Sequence, residues 1–209
     1  MLRRLMVAAA ALVGATAALS AQTMPASPEG KAQVQLGGKY VTGAQGGTTY
    51  VGGTWIEVTY GRPILRGREA IFGSGADYGK VLNDGAPVWR AGANATTRLK
   101  TATALVIGGK TVPAGEYCLF IELKENAWTF IVSNWPVQKT YDPKNTAELW
   151  GSYNYTPDKD VVRVSMTRTK NAMSVEQLTW GFVNTTATGT ELAIMWGKEV
   201  AMVPITLAK

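Results

Sequence analysis

The fold class follows from residues 116–132, which read EYCLFIELKENAWTFIV. From the tyrosine onward, every second residue of the first half is apolar, so these side chains share one face of an extended chain. A Lys-Glu-Asn connection at 124–126 has the length of a hairpin turn. Trp128, Phe130 and Val132 then line one face of the returning segment. This pattern predicts an antiparallel β-hairpin that turns one face toward a hydrophobic core.

Short segments with the same period of two recur along the chain, separated by turns. Residues 54–60 alternate apolar and polar side chains, and the 23 glycines are typical of turns between strands. Further strands are predicted at 161–167, 178–183, 192–196 and 200–207. Apolar residues at helical spacing are not sustained anywhere after the first 21 residues. The sequence therefore predicts an all-β protein, an antiparallel β-sandwich or jelly-roll-like domain of about ten strands.

The first 21 residues have the composition of a targeting segment. Arg3 and Arg4 precede an uncharged apolar run that ends at Leu19. Small residues follow, so this order predicts a signal peptide cleaved after Ser20 or Ala21, and hence a periplasmic protein. The alternative is an uncleaved anchor in the inner membrane, with the arginines on the cytoplasmic side. The apolar residues of such an anchor are Leu5, Val7, Leu12, Val13 and Leu19.

The rest of the chain divides into a short linker and one domain. Residues 22–30, QTMPASPEG, contain two prolines and a glycine and are predicted to be a linker. Residues 31–209 fit a single β-sandwich domain, which can bury a core without disulfide bonds or a metal. The only cysteine, Cys118, lies in an apolar strand pattern and is predicted to be a buried, inert thiol.

The chain contains no histidine, and this removes several kinds of site. Ser-His-Asp and Cys-His constellations cannot form, nor can zinc sites built on histidine or on several cysteines. We therefore predict no metal and no cofactor. A histidine-free hydrolase remains as an alternative, since paired carboxylates can cleave a glycosidic bond. Its acidic candidates, which form no recognisable pair, are Glu57, Asp77, Asp84, Glu116 and Glu122.

The net charge is mildly positive. It is +6 for the whole chain and +4 once Arg3 and Arg4 are subtracted. This excess is small and evenly spread, so the sequence does not indicate a nucleic-acid partner. It is compatible with mild affinity for anionic lipid or for an acidic partner.

Two polar segments carry candidate ligand-binding side chains. Residues 60–68 read YGRPILRGR and residues 88–97 read VWRAGANATT. Guanidinium groups bind carboxylates and phosphates through paired hydrogen bonds, and Asn and Thr side chains add neutral ones. The alternative is structural, because loop carbonyls also need hydrogen-bond donors. The candidates for an anionic or sugar-like ligand are Arg62, Arg68, Arg90, Asn94 and Thr97.

These segments also carry a resemblance to a known family. The matching pieces are WRxGANxxT at 89–97, YxRP at 60–63, GR at 67–68, PAGEYxLF at 113–120 and WT at 128–129. Together they resemble a family of exported bacterial proteins known only as a domain of unknown function, over residues 31–207. The resemblance implies export and a β-sandwich, and it brings no activity with it. The family usually carries an acidic residue after the motif's asparagine, where this chain has Ala95.

A second candidate surface is rich in aromatic residues. The loop at 136–149 lies between two tryptophans and is followed by tyrosines, and such a loop at one end of a sandwich suits recognition of a partner. The alternative is that the aromatic side chains only hold the loop in place. The candidates for protein interaction are Trp135, Tyr141, Trp150 and Tyr153. Trp128, Trp180 and Trp196 instead fall in step with apolar strand faces and are predicted to lie in the core.

Taken together, the sequence favours a non-enzymatic interaction module in the periplasm. It would act as an accessory or stabilising subunit docked on an envelope or inner-membrane protein complex. One alternative is a periplasmic module that binds a small anionic or glycan ligand. A second alternative is the carboxylate hydrolase.

Overall fold

The computed structural model describes residues 26–209. Strands make up 53% and helix 5%, and the sheets are antiparallel, which confirms the predicted all-β class. Twelve strands lie within the described residues. In chain order they are β1 (Glu29–Leu36), β2 (Lys39–Thr42), β3 (Thr48–Val51), β4 (Thr54–Gly61), β5 (Arg98–Thr101), β6 (Leu105–Ile107), β7 (Lys110–Val112), β8 (Gly115–Lys124), β9 (Ala127–Ser133), β10 (Asp160–Ser165), β11 (Thr167–Val183) and β12 (Gly189–Leu207).

The predicted signal peptide or anchor at 1–21 lies outside the described residues, as do residues 22–25 of the predicted linker. Strand β1 begins at Glu29, two residues before the predicted start of the domain. Within residues 26–209, no helix is long and apolar enough to cross a membrane. The one α-helical turn of the described part of the chain, α1 (Lys80–Asn83), lies in the long connection between β4 and β5.

The strands form two sheets that share one core. The larger sheet has the order β1-β4-β5-β8-β9-β10, and the smaller has the order β11-β12-β6-β7. Strands β2 and β3 form a separate two-stranded hairpin. Buried side chains from both sheets, such as Ile56 of the larger and Ile194 of the smaller, belong to one continuous hydrophobic cluster. Two sheets packed over a common core are the sandwich that the alternating pattern predicted.

The hairpin of β8 and β9 forms as the alternation predicted. Leu123 pairs with Trp128, and the register continues to Leu119 opposite Val132. The side chains of these pairs face the core because strand residues two apart share a face. The three tryptophans predicted to be buried, Trp128, Trp180 and Trp196, are all in the core.

The outer face of the same hairpin is also buried. Phe120 and Ile131 have no exposed surface and pack with Leu149 and Tyr155 in a second hydrophobic cluster. Leu149 and Tyr155 belong to the long connection between β9 and β10, residues 134–159, which therefore covers the outside of the larger sheet. This contact places the aromatic loop next to the segment that precedes β5.

Strands β11 and β12 are longer than the sequence pattern predicted. The predicted strands at 192–196 and 200–207 are parts of one strand that continues through Gly197, a residue with a φ of +59°. The predicted strand at 178–183 extends back to Thr167, with register shifts on either side of Val175. Most side chains of residues 167–177 lie on the surface, so this part of the strand has no apolar alternation to reveal it.

The buried thiol of Cys118 gives a first prediction. Burial raises its pKa to about 12, and its sulfur lies 3.1 Å from the carbonyl oxygen of Trp135. Since only the thiolate is alkylated, we expect iodoacetamide at pH 8 to leave the native protein unlabelled over a time in which the guanidinium-unfolded chain is fully labelled. Intact-mass spectrometry gives the labelled fraction. Equal labelling of native and unfolded protein would contradict this environment for the thiol.

Candidate functional site

A cleft of about 490 Å³ opens where five separate parts of the chain meet. It is the place where the two predicted arginine segments come together with the predicted aromatic loop. The lining residues are Pro63, Arg68, Ile71, Val81, Leu82, Trp89, Arg90, Gly92, Ala93, Asn94, Tyr141, Trp150, Tyr153 and Trp196. The convergence depends on the loop after β9 being held against the outer face of the sheet.

Two stacked tryptophans lie beneath the cleft. The rings of Trp89 and Trp196 are nearly parallel, at 16°, with their centroids 6.1 Å apart. Trp89 is tied to β8 by a pair of backbone hydrogen bonds with Ile121, of 2.8 and 2.9 Å. Trp196 belongs to β12, so the stack joins the two sheets. The stack therefore gives the cleft side chains above it a rigid support.

The loop that follows Trp89 has an unusual backbone that its sequence stabilises. Ala91 and Asn94 both have positive φ, at 51° and 62°. The carbonyl of Ala91 accepts hydrogen bonds from the indole of Trp180 at 2.9 Å and from the hydroxyl of Thr97 at 3.4 Å. Thr97 is fully buried and serves this loop, and it does not line the cleft. Its predicted role in ligand binding therefore has no support from its position.

Of the two arginines that line the cleft, Arg90 is the more buried. Its Nη1 donates to the carbonyl of Asn94 at 3.1 Å, and its Nη2 lies 3.6 Å from the Asp84 carboxylate. The guanidinium carbon lies 5.6 Å from the ring centroid of Tyr153. The side chain is only 15% exposed. Gly151 leaves room for it, because a Cβ there would lie 2.4 Å from Nη1.

Asn94 and Arg68 also line the cleft, with part of their hydrogen bonding used locally. The amide of Asn94 donates to the carbonyl of Ser27 at 3.2 Å. The guanidinium of Arg68 donates to the carbonyls of Leu65 and Ile64, at 3.0 and 2.8 Å. Arg68 thus supplies hydrogen-bond donors to two carbonyl groups of its own loop, as the structural alternative predicted, and it also lines the cleft.

Arg62 lies outside the cleft. Its side chain packs against Gly30, where a Cβ would lie 2.2 Å from the Arg62 Cδ, and its carbonyl accepts a hydrogen bond from Gln177 at 3.2 Å. The structure thus separates Arg62 from Arg90, although the sequence grouped them as ligand-binding candidates. Their shared guanidinium chemistry was the only signal that linked them.

Three of the four predicted interaction residues form one wall of the cleft. Tyr141 and Trp150 have ring centroids 5.8 Å apart, and Tyr153 donates its hydroxyl proton to Asp84. This hydrogen bond raises the pKa of the Tyr153 phenol, which therefore stays protonated at neutral pH. The fourth residue, Trp135, lies elsewhere. Its indole donates to the carbonyl of Thr156 at 2.8 Å, and the ammonium of Lys159 sits 3.7 Å from its ring centroid.

The charge of the cleft is positive. Arg68 and Arg90 line it, and none of the described lining residues is acidic. The carboxylate of Asp84, which does not line the cleft, contacts both Arg90 and Tyr153. The other acidic residues considered for hydrolysis are engaged by basic side chains at separate places: Glu57 by Lys31, Asp77 by Lys80, Glu116 by Arg98, and Glu122 by Lys124 and Arg163.

Comparison with known proteins identifies the family. A family model described as "Protein of unknown function (DUF2911)" matches residues 44–205. The chain belongs to the DUF2911 family. None of the curated proteins and none of the solved structures matches it. The family match agrees with the predicted resemblance to a domain of unknown function.

Several residues that line this DUF2911 cleft belong to no sequence pattern that indicates a binding role. Val81, at 69% exposure, and Leu82 come from α1, and Ile71 from the loop before it. Trp196 was predicted as a core residue, and it is buried while also lining the cleft. Their convergence depends on contacts between distant segments, which spacing along the chain does not encode.

Gly61 lies very close to the loop that follows Trp89, and this contact gives a second prediction. A Cβ at Gly61 would lie 2.0 Å from the backbone oxygen of Ala93, so Gly61→Ala must displace this loop of the DUF2911 domain. We expect a loss of about 1–3 kcal/mol in the free energy of unfolding, measured by denaturant titration. Gly47→Ala is the matched control, because nothing lies within 4 Å of its Cβ position. Equal stability of the two variants would contradict the described loop.

Proposed function

We propose that this domain is a periplasmic ligand-binding module whose cleft holds a small anionic ligand with a sugar-like ring. The observation that carries the proposal is the meeting of Arg90, Arg68 and three aromatic side chains in one cleft without a lining acid. Concave sites with an aromatic wall and a few fixed polar groups are typical of small-molecule binding. The periplasmic location rests on the export pattern of the first 21 residues.

Arg90 supplies the charge for the anion. Its guanidinium has five N–H donors, and the described residues use only part of them, at Asn94 and toward Asp84. Because the side chain is largely removed from water, its attraction for an anion is less screened than that of a surface arginine. The planar fork can pair with both oxygens of a carboxylate.

The aromatic wall supplies the contact with the body of the ligand. Tyr141 and Trp150 present two tilted rings, and the Tyr153 ring lies beside the Arg90 guanidinium. Aromatic side chains offer large, stiff surfaces with a polar tip, which suits a ligand that is apolar on its ring faces and polar at its edge. A uronic acid has both properties, since its sugar ring carries a carboxylate.

Isothermal titration calorimetry tests this proposal. We expect a uronate-containing disaccharide to bind the wild type, and the neutral disaccharide of the same linkage to bind at least about tenfold more weakly, since one guanidinium–carboxylate pair contributes about 1.5 kcal/mol or more. Arg90→Gln should abolish the preference for the uronate. Arg66→Gln is the matched control, because Arg66 is an exposed arginine of the same region that does not line the cleft.

Two outcomes would contradict the ligand-binding proposal. One is the absence of heat with uronates, sugar phosphates and organic acids alike. The other is a preference for the uronate that Arg90→Gln leaves unchanged, since the charge would then come from another part of the domain. Thermal melting of each variant establishes that the comparison concerns folded protein.

A second candidate function is an accessory subunit docked on an envelope or inner-membrane protein complex. It is favoured by exposed apolar side chains of the β2–β3 hairpin and of β4, none of which lines the cleft. Tyr40 is 74% exposed, with its ring centroid 5.1 Å from that of Tyr50, and Trp55 is 54% exposed. Exposed aromatic surface of this kind is a candidate site for coverage by another molecule.

Crosslinking in intact cells tests the accessory-subunit candidate. We expect the wild type to form a specific crosslinked species with another envelope protein, and the double variant Tyr40→Ser, Trp55→Ser to lose it. Tyr141→Ser, which changes the cleft wall, should retain it. A wild-type protein that is monomeric and forms no crosslinked species would contradict this candidate while leaving the ligand-binding proposal untouched.

A further inference from the structure

A second and larger cavity, of about 650 Å³, lies on another side of Trp196. It is bordered by the loop before α1, the turn between β8 and β9, the first half of β11 and the middle of β12. None of its residues was a candidate for binding from the sequence. It shares with the cleft only Trp196, so the two volumes are separate.

The phenol of Tyr78 has a hydrogen-bond proton to offer to an occupant. Its oxygen accepts hydrogen bonds from the indole of Trp128 at 2.9 Å and from Arg168 at 3.2 Å. Among the described residues, no acceptor takes the proton of the Tyr78 hydroxyl itself. Burial raises the pKa of this phenol, so it stays protonated and can donate to a carboxylate or carbonyl oxygen.

The charges around this cavity balance, in contrast to the positive cleft. Three bases, Arg168, Lys170 and Lys198, stand among three acids, Glu69, Glu125 and Glu199. Glu199 engages Arg168 at 3.0 Å and Lys170 at 3.3 Å, while the Glu125 carboxylate accepts from the backbone of Gly75 at 3.1 Å. Within the described residues, Lys198, Glu69 and Glu125 form no ion pair. Since the Glu125 carboxylate is engaged by the backbone of Gly75, the ammonium of Lys198 and the carboxylate of Glu69 remain for a ligand.

The cavity also has an apolar side. Phe72 and Trp196 line it, both are buried, and their ring centroids lie 6.1 Å apart. A ligand here meets aromatic surface, a hydroxyl donor, an ammonium and a carboxylate at once. A zwitterion with an apolar side chain presents the complementary groups.

We propose that this second cavity binds a small zwitterion, an amino acid or short peptide, that carries a free amino group, a free carboxylate and an apolar side chain. The carboxylate lies toward Tyr78 and Lys198, the amino group toward Glu69, and the apolar side chain against Phe72 and Trp196. This site is independent of the uronate site, because the two share none of the charged residues.

Calorimetry with the dipeptide Ala-Phe and its blocked forms tests the assignment. We expect the free dipeptide to bind, and the N-acetylated, C-amidated and doubly blocked forms to bind at least about tenfold more weakly, because each loses a charged contact. Lys198→Gln and Glu69→Gln should each weaken binding of the free dipeptide by a similar factor. Lys139→Gln is the control, since Lys139 is exposed and lies away from the cavity.

Tyr78→Phe adds a test of the hydroxyl donor. Because this substitution also removes an acceptor from the Trp128 indole, dipeptide binding by the variant is compared only if a thermal melt shows that the variant is folded. If it is not folded, Lys198→Gln and Glu69→Gln provide the test. Absence of binding by the wild type, equal binding of free and blocked dipeptides, or loss of binding in Arg90→Gln with retention in Lys198→Gln would each overturn the proposal. Absence of dipeptide binding, or equal binding of the free and blocked forms, has no bearing on uronate binding at the cleft.

Discussion

The hairpin of β8 and β9 is buried on both of its faces, and the cleft proposed to bind an anionic ligand depends on that arrangement. On the inner face, Leu119 and Phe130 join the core shared by the two sheets. On the outer face, Phe120 and Ile131 hold the loop that follows β9. Because neighbouring residues of a strand point to opposite faces, one apolar hairpin both closes the sandwich and fixes the loop that carries the aromatic wall.

This double burial explains how a long connection becomes part of a defined site. Burial of apolar side chains favours the ordered loop and so opposes the conformational entropy that is lost when the loop is ordered. Leu149 and Tyr155 provide such anchors, and the Thr96 hydroxyl adds a hydrogen bond of 2.8 Å to the carbonyl of Gly151. Arg90 and the aromatic side chains are therefore held at fixed positions before any ligand arrives, which lowers the entropic cost of binding.

The part of the fold that was predictable is the part with a strong local pattern. Residues 116–132 alternate so regularly that their hairpin, and the burial of Trp128, followed from sequence alone. The extent of β11 was not predictable, because residues 167–177 are mostly exposed and carry no alternation. Gly197 likewise divided the pattern of β12 without dividing the strand.

The candidate site was predictable in its residue types and not in its geometry. Arg90 and Tyr153 were each recognisable as candidates, but their approach to within 5.6 Å depends on contacts between segments some sixty residues apart. The sequence also could not separate Arg90 from Arg62, or Trp150 from Trp135, because side chains of one type differ only in what the fold places beside them. The second cavity left no sequence signal, since its charged residues come from four distant segments.

The outer face of the β8–β9 hairpin holds the aromatic loop in place. Hydrogen exchange in the wild type and in Leu149→Ala tests it most directly, because this substitution removes the anchor from the loop and leaves the hairpin intact. We expect faster exchange of the amides in residues 138–155 of the variant, with unchanged protection of the amides in β8 and β9. Unchanged exchange in the loop, or an equal rise throughout both sheets, would contradict it.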